Sequence, residues 1–273
     1  MSRAVEIADA RANRIGHQLY AGRARALIER SSIAFRRSTW VPIATGFIEP
    51  VLYLLAFGFG MGKLVGDVQT TFGVVDYTVF IAPGLLATSA MNGAIYDSTW
   101  NVFFKLHESK LYQGMLATPL GPLDVALGEM IWALLRGLGY ALAFLIVTAP
   151  LGLVDGIHSI FAIPAAVIIA FAFASFGMAI TSYFQTYQQM GSINLVILPM
   201  FLFSGSLYPI SVYPDWLEFI IRLLPTWQGI ELVRYLWFGV WNGALLIHIL
   251  YFAVMIATGL YFTTRRLRHL FMR

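Results

Sequence analysis

Long apolar runs separated by short polar stretches dominate the chain, and their lengths predict its elements. Residues 40–61, 79–102, 126–149, 157–184, 190–207 and 242–263 are each close to the roughly 20 residues that a helix needs to cross the hydrocarbon of a bilayer. Six membrane spans are therefore predicted. Pro42 and the Glu49-Pro50 pair fall inside the first and are expected to kink it, since a helical proline removes a donor and crowds the preceding turn. Residues 63–77 read as a polar loop.

Residues 199–234 are apolar enough for a membrane, yet they are interrupted too often to be one span. Pro209 and Pro214 stop the helix that ends near residue 207, and residues 216–224 form a nine-residue piece carrying Glu218 and Arg222. That piece is too short to cross. The pattern predicts a re-entrant hairpin packed within a helical assembly, because bare backbone at membrane depth needs protein or water to satisfy it.

Before the first span, residues 1–38 carry eight arginines and three acids with no continuous apolar core, which excludes a secretory signal peptide. Leu19, Ala26 and Ile33 recur at seven-residue spacing beside Tyr20 and Leu27, among Arg23, Arg25, Arg30, Arg36 and Arg37. This predicts a helix lying on the membrane surface. Between the second and third spans, Lys105, His107, Glu108 and Lys110 sit among Phe103, Phe104, Leu106, Leu111, Tyr112 and Met115. A short amphipathic helix is expected there, ending before Pro119 and the Gly121-Pro122 pair.

Composition agrees with the pattern: 59% of the 273 residues are hydrophobic and 12% charged, which excludes an ordinary soluble domain. The absence of cysteine excludes disulfides and thiolate metal sites. Of the eighteen basic residues, eight lie in the N-terminal tail, two between spans two and three, and four after Thr264. Only Lys63, Arg222 and Arg234 fall on the other side, so both termini are expected in the cytoplasm. Nucleic-acid binding is not implied. Trp40, Trp100, Trp216, Trp227, Trp237 and Trp241 fall near predicted span or hairpin ends, where headgroup anchoring is their default role.

No GxxxxGK[ST] motif is present, so the chain is not expected to hydrolyse ATP alone. HExxH and GxSxG are missing too, and the five histidines lack metal-ligand spacing. What remains is a small set of charges at membrane depth: Glu49, Asp97, Glu129 and Arg136. Such residues are costly in hydrocarbon and face either a packing partner or a polar path. Arg136 is expected to pair with Glu49, Asp97 or Glu129, because an unpaired buried guanidinium is costlier still.

Four blocks resemble the permease subunits of type 2 ATP-binding-cassette exporters, the group with nodulation-factor, capsule-polysaccharide and daunorubicin-type members. They are GFIEPVLYLLAFGFGMG from Gly46, YTVFIAPGLLATSAMNGAIYDST from Tyr77, LYQGMLATPLGPLDVALGE from Leu111, and the interrupted stretch from Pro199. The first block is closest to the nodulation-factor branch. By this resemblance Phe103, Phe104, Lys105, His107, Glu108, Lys110, Leu111 and Tyr112 belong to a coupling helix that docks on a separate ATPase. Spans one, two and five would line a path, and the outer hairpin, with Ser206, Tyr208, Pro209, Tyr213, Pro214, Trp216 and Trp227, would close it. The resemblance also implies a second permease copy, two ATP-binding subunits that hold ATP and magnesium, and no cofactor on this chain.

The expected architecture is all-α: a cytoplasmic tail with its interfacial helix at 1–39, a six-span permease domain at 40–263 in the plasma membrane, and a basic tail at 264–273. The expected cargo is an amphiphile moved outward, such as a lipo-oligosaccharide, glycolipid, polysaccharide or hydrophobic drug. Two rivals remain at this level. A membrane transferase acting on lipid-linked substrates would use Glu49, Asp97 and Glu129, and a secondary transporter would show inverted repeats.

Overall fold

The computed structural model describes residues 20–36, 48–154 and 156–271. Among them the chain is helical apart from one small hairpin. An amphipathic helix α1 (Ala24–Arg36) precedes α2 (Ile48–Val65), a β-hairpin of β1 (Asp67–Thr70) and β2 (Gly73–Asp76), and the long α3 (Tyr77–Glu108). A short α4 (Leu111–Leu116) leads into α5 (Pro122–Thr148), α6 (Ala162–Thr181) and α7 (Tyr187–Leu202). Two short helices, α8 (Asp215–Leu223) and α9 (Pro225–Trp237), precede α10 (Gly243–Phe271).

Five of these helices are long and apolar enough to cross a membrane: α2, α3, α5, α10, and α6 together with the 3-10 turn Ile157–Phe161 before it. The chain is a multi-pass membrane protein. The fifth predicted span, 190–207, is instead the 16-residue α7, which rises only about 24 Å before Phe203 breaks it. Trp40 and Pro42 lie outside the described residues.

At the centre, α6 packs against α3, α5, α9 and α10. Its sequence AIPAAVIIAFAFASFGMAIT brings small residues to these crossings, and small residues let helix backbones approach closely where lipid offers no hydrophobic drive for association. A Cβ at Gly177 would overlap Ser98 and Thr99 of α3. The main core joins α3, α5, α6, α9 and α10, and a smaller one gathers Leu27, Val102, Leu106, Tyr112, Val125, Met130 and Leu267 near the α3–α4 turn.

Several expectations change. On α1, Leu27 and Ser31 are buried, whereas Ala26, Ile33 and Tyr20 just before it are exposed, and Leu19 lies outside the described residues. Asp124, buried at the start of α5, accepts the backbone N–H of Ala21 at 2.7 Å, Arg23 at 2.8 Å and Gly121 at 2.9 Å. One carboxylate thus caps α5 and clamps the approach to α1. The predicted polar loop folds partly as the β-hairpin, whose Phe72 ring packs on Tyr235 of α9 and on Phe238, which caps α9. Trp237 is fully buried in the main core, so it is not a headgroup anchor, whereas Trp216 and Trp241 are exposed. The basic stretch after Thr264 continues α10 as helix, with Arg266 Nε donating to the Ser182 carbonyl at 3.2 Å.

Candidate functional site

The lower half of α3 departs from α-helical bonding twice, through π turns at Asp97–Asn101 and Phe104–Glu108. Such turns add a residue to the helical register and recur at functional sites. The first π turn begins at Asp97, nine-tenths buried, whose Oδ1 accepts from Arg136 Nη1 at 2.6 Å and from Asn101 Nδ2 at 2.8 Å. Arg136 of α5 also donates to the Tyr140 hydroxyl at 2.7 Å and lies 5.8 Å from the centre of the Phe35 ring. Of the three acids open to Arg136, Asp97 is its partner. Glu129, about two turns before Arg136 on α5, instead accepts from Lys105 Nζ at 2.5 Å.

These pairs border one cavity of about 650 Å³. Glu49 of α2 and Arg30 and Phe35 of α1 line it together with Asp97, Glu129 and Arg136, so all four predicted intramembrane charges meet on a single space. Aromatic side chains Tyr96, Trp100 and Trp132 complete much of its wall. Lys105 was expected on the surface facing a partner, yet its ammonium turns inward to α5.

The segment expected as one coupling helix is two pieces. α3 runs through Phe104 to Glu108, the chain breaks at Ser109, and Lys110 adopts a left-handed φ of 48° before α4 begins. Leu106 and Tyr112 are buried in the smaller core, Leu111 packs against it, Phe103 is buried, and His107 is half-buried with its ring 4.7 Å from that of Phe103. Burial, then the nearby Glu129 charge, pushes the Tyr112 phenol well above its ordinary range. Tyr112 is therefore an internal prop of the elbow and is not presented to a partner. The outward surface consists of Phe104, 60% exposed, with Glu108, Ser109, Lys110, Gln113 and Gly114.

At the opposite end, Ser206 is buried against α3, where a Cβ at Gly84 would lie 2.9 Å from the Ser206 carbonyl oxygen. The hydroxyls of Tyr208 and Tyr213 share a hydrogen bond at 2.5 Å, and Tyr208 also donates to the Leu202 carbonyl at 2.9 Å. Pro209 and Pro214 flank the 3-10 turn Ile210–Val212, with Pro214 immediately before α8. Trp227 lies between the Arg222 guanidinium, 5.7 Å away, and the His248 ring, 5.9 Å away.

Arg234, expected in an outer loop, is 3% exposed on α9. It donates to the Gly205 carbonyl at 2.7 Å and to Glu231 at 3.1 Å, and its guanidinium sits 4.1 Å from the centre of the Phe80 ring. It thereby fastens the break after α7 to α3 and α9. Helical spacing carried the signal, since Arg234 stands four residues after Ile230 and three before Trp237, both buried.

A family model described as "ABC-2 type transporter" matches residues 23–238. Nodulation protein J of Rhizobium leguminosarum bv. viciae is 32% identical over 254 residues, covering 91% of this chain and 95% of the relative. The protein of the same name from Sinorhizobium fredii is 33% identical over 215 residues, covering 77% and 79% respectively. With most of the chain matched in both comparisons, this protein is a member of the ABC-2 type transporter family, of the kind to which those nodulation proteins belong.

Proposed function

We propose that the chain is one half of the transmembrane pore of an ATP-driven exporter, carrying an amphiphile such as a lipo-oligosaccharide or glycolipid outward across the plasma membrane. In this reading α7 is the remaining one of six spans, both termini lie in the cytoplasm, and α8 with α9 forms the re-entrant outer closure. A second permease copy completes the pore, and two separate ATPase subunits drive it, docking on the outward face of the α3–α4 elbow. The cavity bordered by α1, α2, α3 and α5 is the loading vestibule. The observation that carries the reading is the meeting of Glu49, Asp97, Glu129 and Arg136 on one cavity beside an interfacial helix, in a chain of the transporter family. A path for a polar head group is what intramembrane charges facing a shared space provide.

The membrane-transferase alternative gains one supporting fact, since three carboxylates meet where such an enzyme would want them. Lys105 and Arg136 bind two of those carboxylates directly, however, and leave them poorly placed to shuttle protons. Reconstitution with the ATPase in inside-out vesicles separates the two readings. Export predicts ATP-dependent accumulation of an unaltered fluorescent glycolipid in the lumen; a chemically modified product without ATP dependence contradicts it.

A further inference from the structure

Two ion pairs join α3 to α5 as successive rungs. Asp97 bonds Arg136, and eight residues further along α3 Lys105 bonds Glu129, seven residues before Arg136 on α5. On an unbroken α-helix, positions seven apart lie within about 20° of one line, whereas positions eight apart diverge by about 80°. Both α3 residues nevertheless reach α5, and both belong to π turns, which absorb an extra residue: Asp97 opens the first and Lys105 lies in the second. Within that second turn, neighbouring side chains face opposite ways. Phe104 is 60% exposed on the outward surface of the elbow, while Lys105 reaches inward with 20% of its side chain exposed. Its partner Glu129 keeps only 6% exposed and lines the vestibule. Movement of the elbow without α5 would strip a desolvated carboxylate of its bonded cation, which costs far more than moving both together. The apolar contacts around Leu106 and Tyr112 are non-directional by comparison.

We propose that Lys105 and Glu129 are positioning residues for coupling: the pair passes displacement of the elbow to α5 and so to the vestibule wall. This rests on the reading of the elbow as the ATPase docking surface and of the cavity as the loading site. Arg136, on the same face of α5, carries the displacement on to Asp97 and the first π turn.

The chain has no native cysteine, so Ala34→Cys, in the vestibule lining on α1, gives a single reporter. Its maleimide labelling rate is measured in vesicles containing the permease and its ATPase, with and without a non-hydrolysable ATP analogue. The readout is the ratio of the two rates, in which any change in the reporter's own reactivity cancels. With the native pair the analogue is expected to change the rate by about fivefold or more, and in Lys105→Met or Glu129→Gln by less than about twofold. Exchanging the pair, Lys105→Glu with Glu129→Lys, should restore most of the response, whereas a merely structural rung lowers the unfolding temperature and leaves the ratio unchanged. A response absent with the native pair, a response that survives both single substitutions, or an exchange that fails to restore it overturns the proposal. Loss of folded yield or of ATPase co-purification in both single variants overturns it too, because the pair then shapes the elbow without carrying its movement. ATP-driven movement of a fluorescent glycolipid by the parent, in the same vesicles, distinguishes the two levels. Where the parent moves the glycolipid and the ratio ignores the pair, only this inference falls; where the parent neither binds the ATPase nor moves any amphiphile with ATP, the exporter reading falls and takes the inference with it.

Discussion

Arg136 Nη1 donates to Asp97 Oδ1 at 2.6 Å, and this pair joins α5 to α3 at the first of two π turns. Both side chains are mostly buried, so removing one partner strands the other charge. Arg136→Ala is expected to lower stability by about 3–5 kcal/mol, the usual cost of leaving a buried charge uncompensated. Folded yield and thermal unfolding in detergent measure it. Adding Asp97→Asn should recover much of the loss; equal destabilisation in the double variant would show that the pair is not the cause.

The elbow between α3 and α4 separates buried from exposed positions. Tyr112→Ala opens a void in the smaller core and is expected to cost roughly 3–5 kcal/mol, as truncating a buried aromatic does. Phe104→Ser with Gln113→Arg changes only exposed groups and should leave folding within about 0.5 kcal/mol. The same double variant should lose co-purification with the ATPase. Retained binding and full ATP-driven export in that variant would move the proposed docking surface away from the elbow.

Asp124 supports two elements at once. Asp124→Ala removes the acceptor for the Ala21, Arg23 and Gly121 N–H groups and is expected to cost about 1–2 kcal/mol, near the upper range for a lost cap. Because the first two donors precede α1, trypsin should cut faster at Arg23 and Arg25. An unchanged cleavage rate would mean that Leu27 packing alone holds α1.

At the end of α3 away from its π turns, the backbone of Ser206 approaches Gly84 too closely for any side chain there. Gly84→Val should displace the chain after α7 and weaken the Arg234 contact with the Gly205 carbonyl. A cysteine at position 206, buried in the parent, should then react with a small membrane-permeant thiol reagent at a markedly higher rate. Unaltered reactivity would show that α3 yields instead.

Apolar length and charge spacing made most of this architecture legible. α2, α3, α5, α6 and α10 follow from runs near the span length, whereas the helix expected to run to residue 207 and stop at Pro209 already ends at Leu202. The need for Arg136 to have an acidic partner was equally readable, because the cost of an unpaired guanidinium does not depend on the fold. Which acid it meets was not, since pairing between helices depends on their rotation and offset. The π turns at Asp97–Asn101 and Phe104–Glu108 shift that rotation within α3 and turn Lys105 toward Glu129. Trp237 and Arg234 were misplaced for a related reason: short helices were read as a loop-like cap, and the buried face of α9 is set by packing against α3 and α6.

The orientation rests on the basic-residue asymmetry, and a cysteine at position 67, in β1, reports on it directly. In intact cells it should react with a membrane-impermeant maleimide from outside. Labelling only after the cytoplasmic side is opened would reverse the assignment.

The vestibule as the cargo's point of entry is the centre of the account, and filling it is the most direct measurement. Ala34→Cys is coupled to a bulky maleimide, and ATP-driven outward movement of a fluorescent glycolipid is followed in vesicles that also contain the ATPase. The account predicts that movement stops while the ATPase stays bound, and that unlabelled Ala34→Cys transports like the parent. Parental transport with the vestibule filled would contradict it.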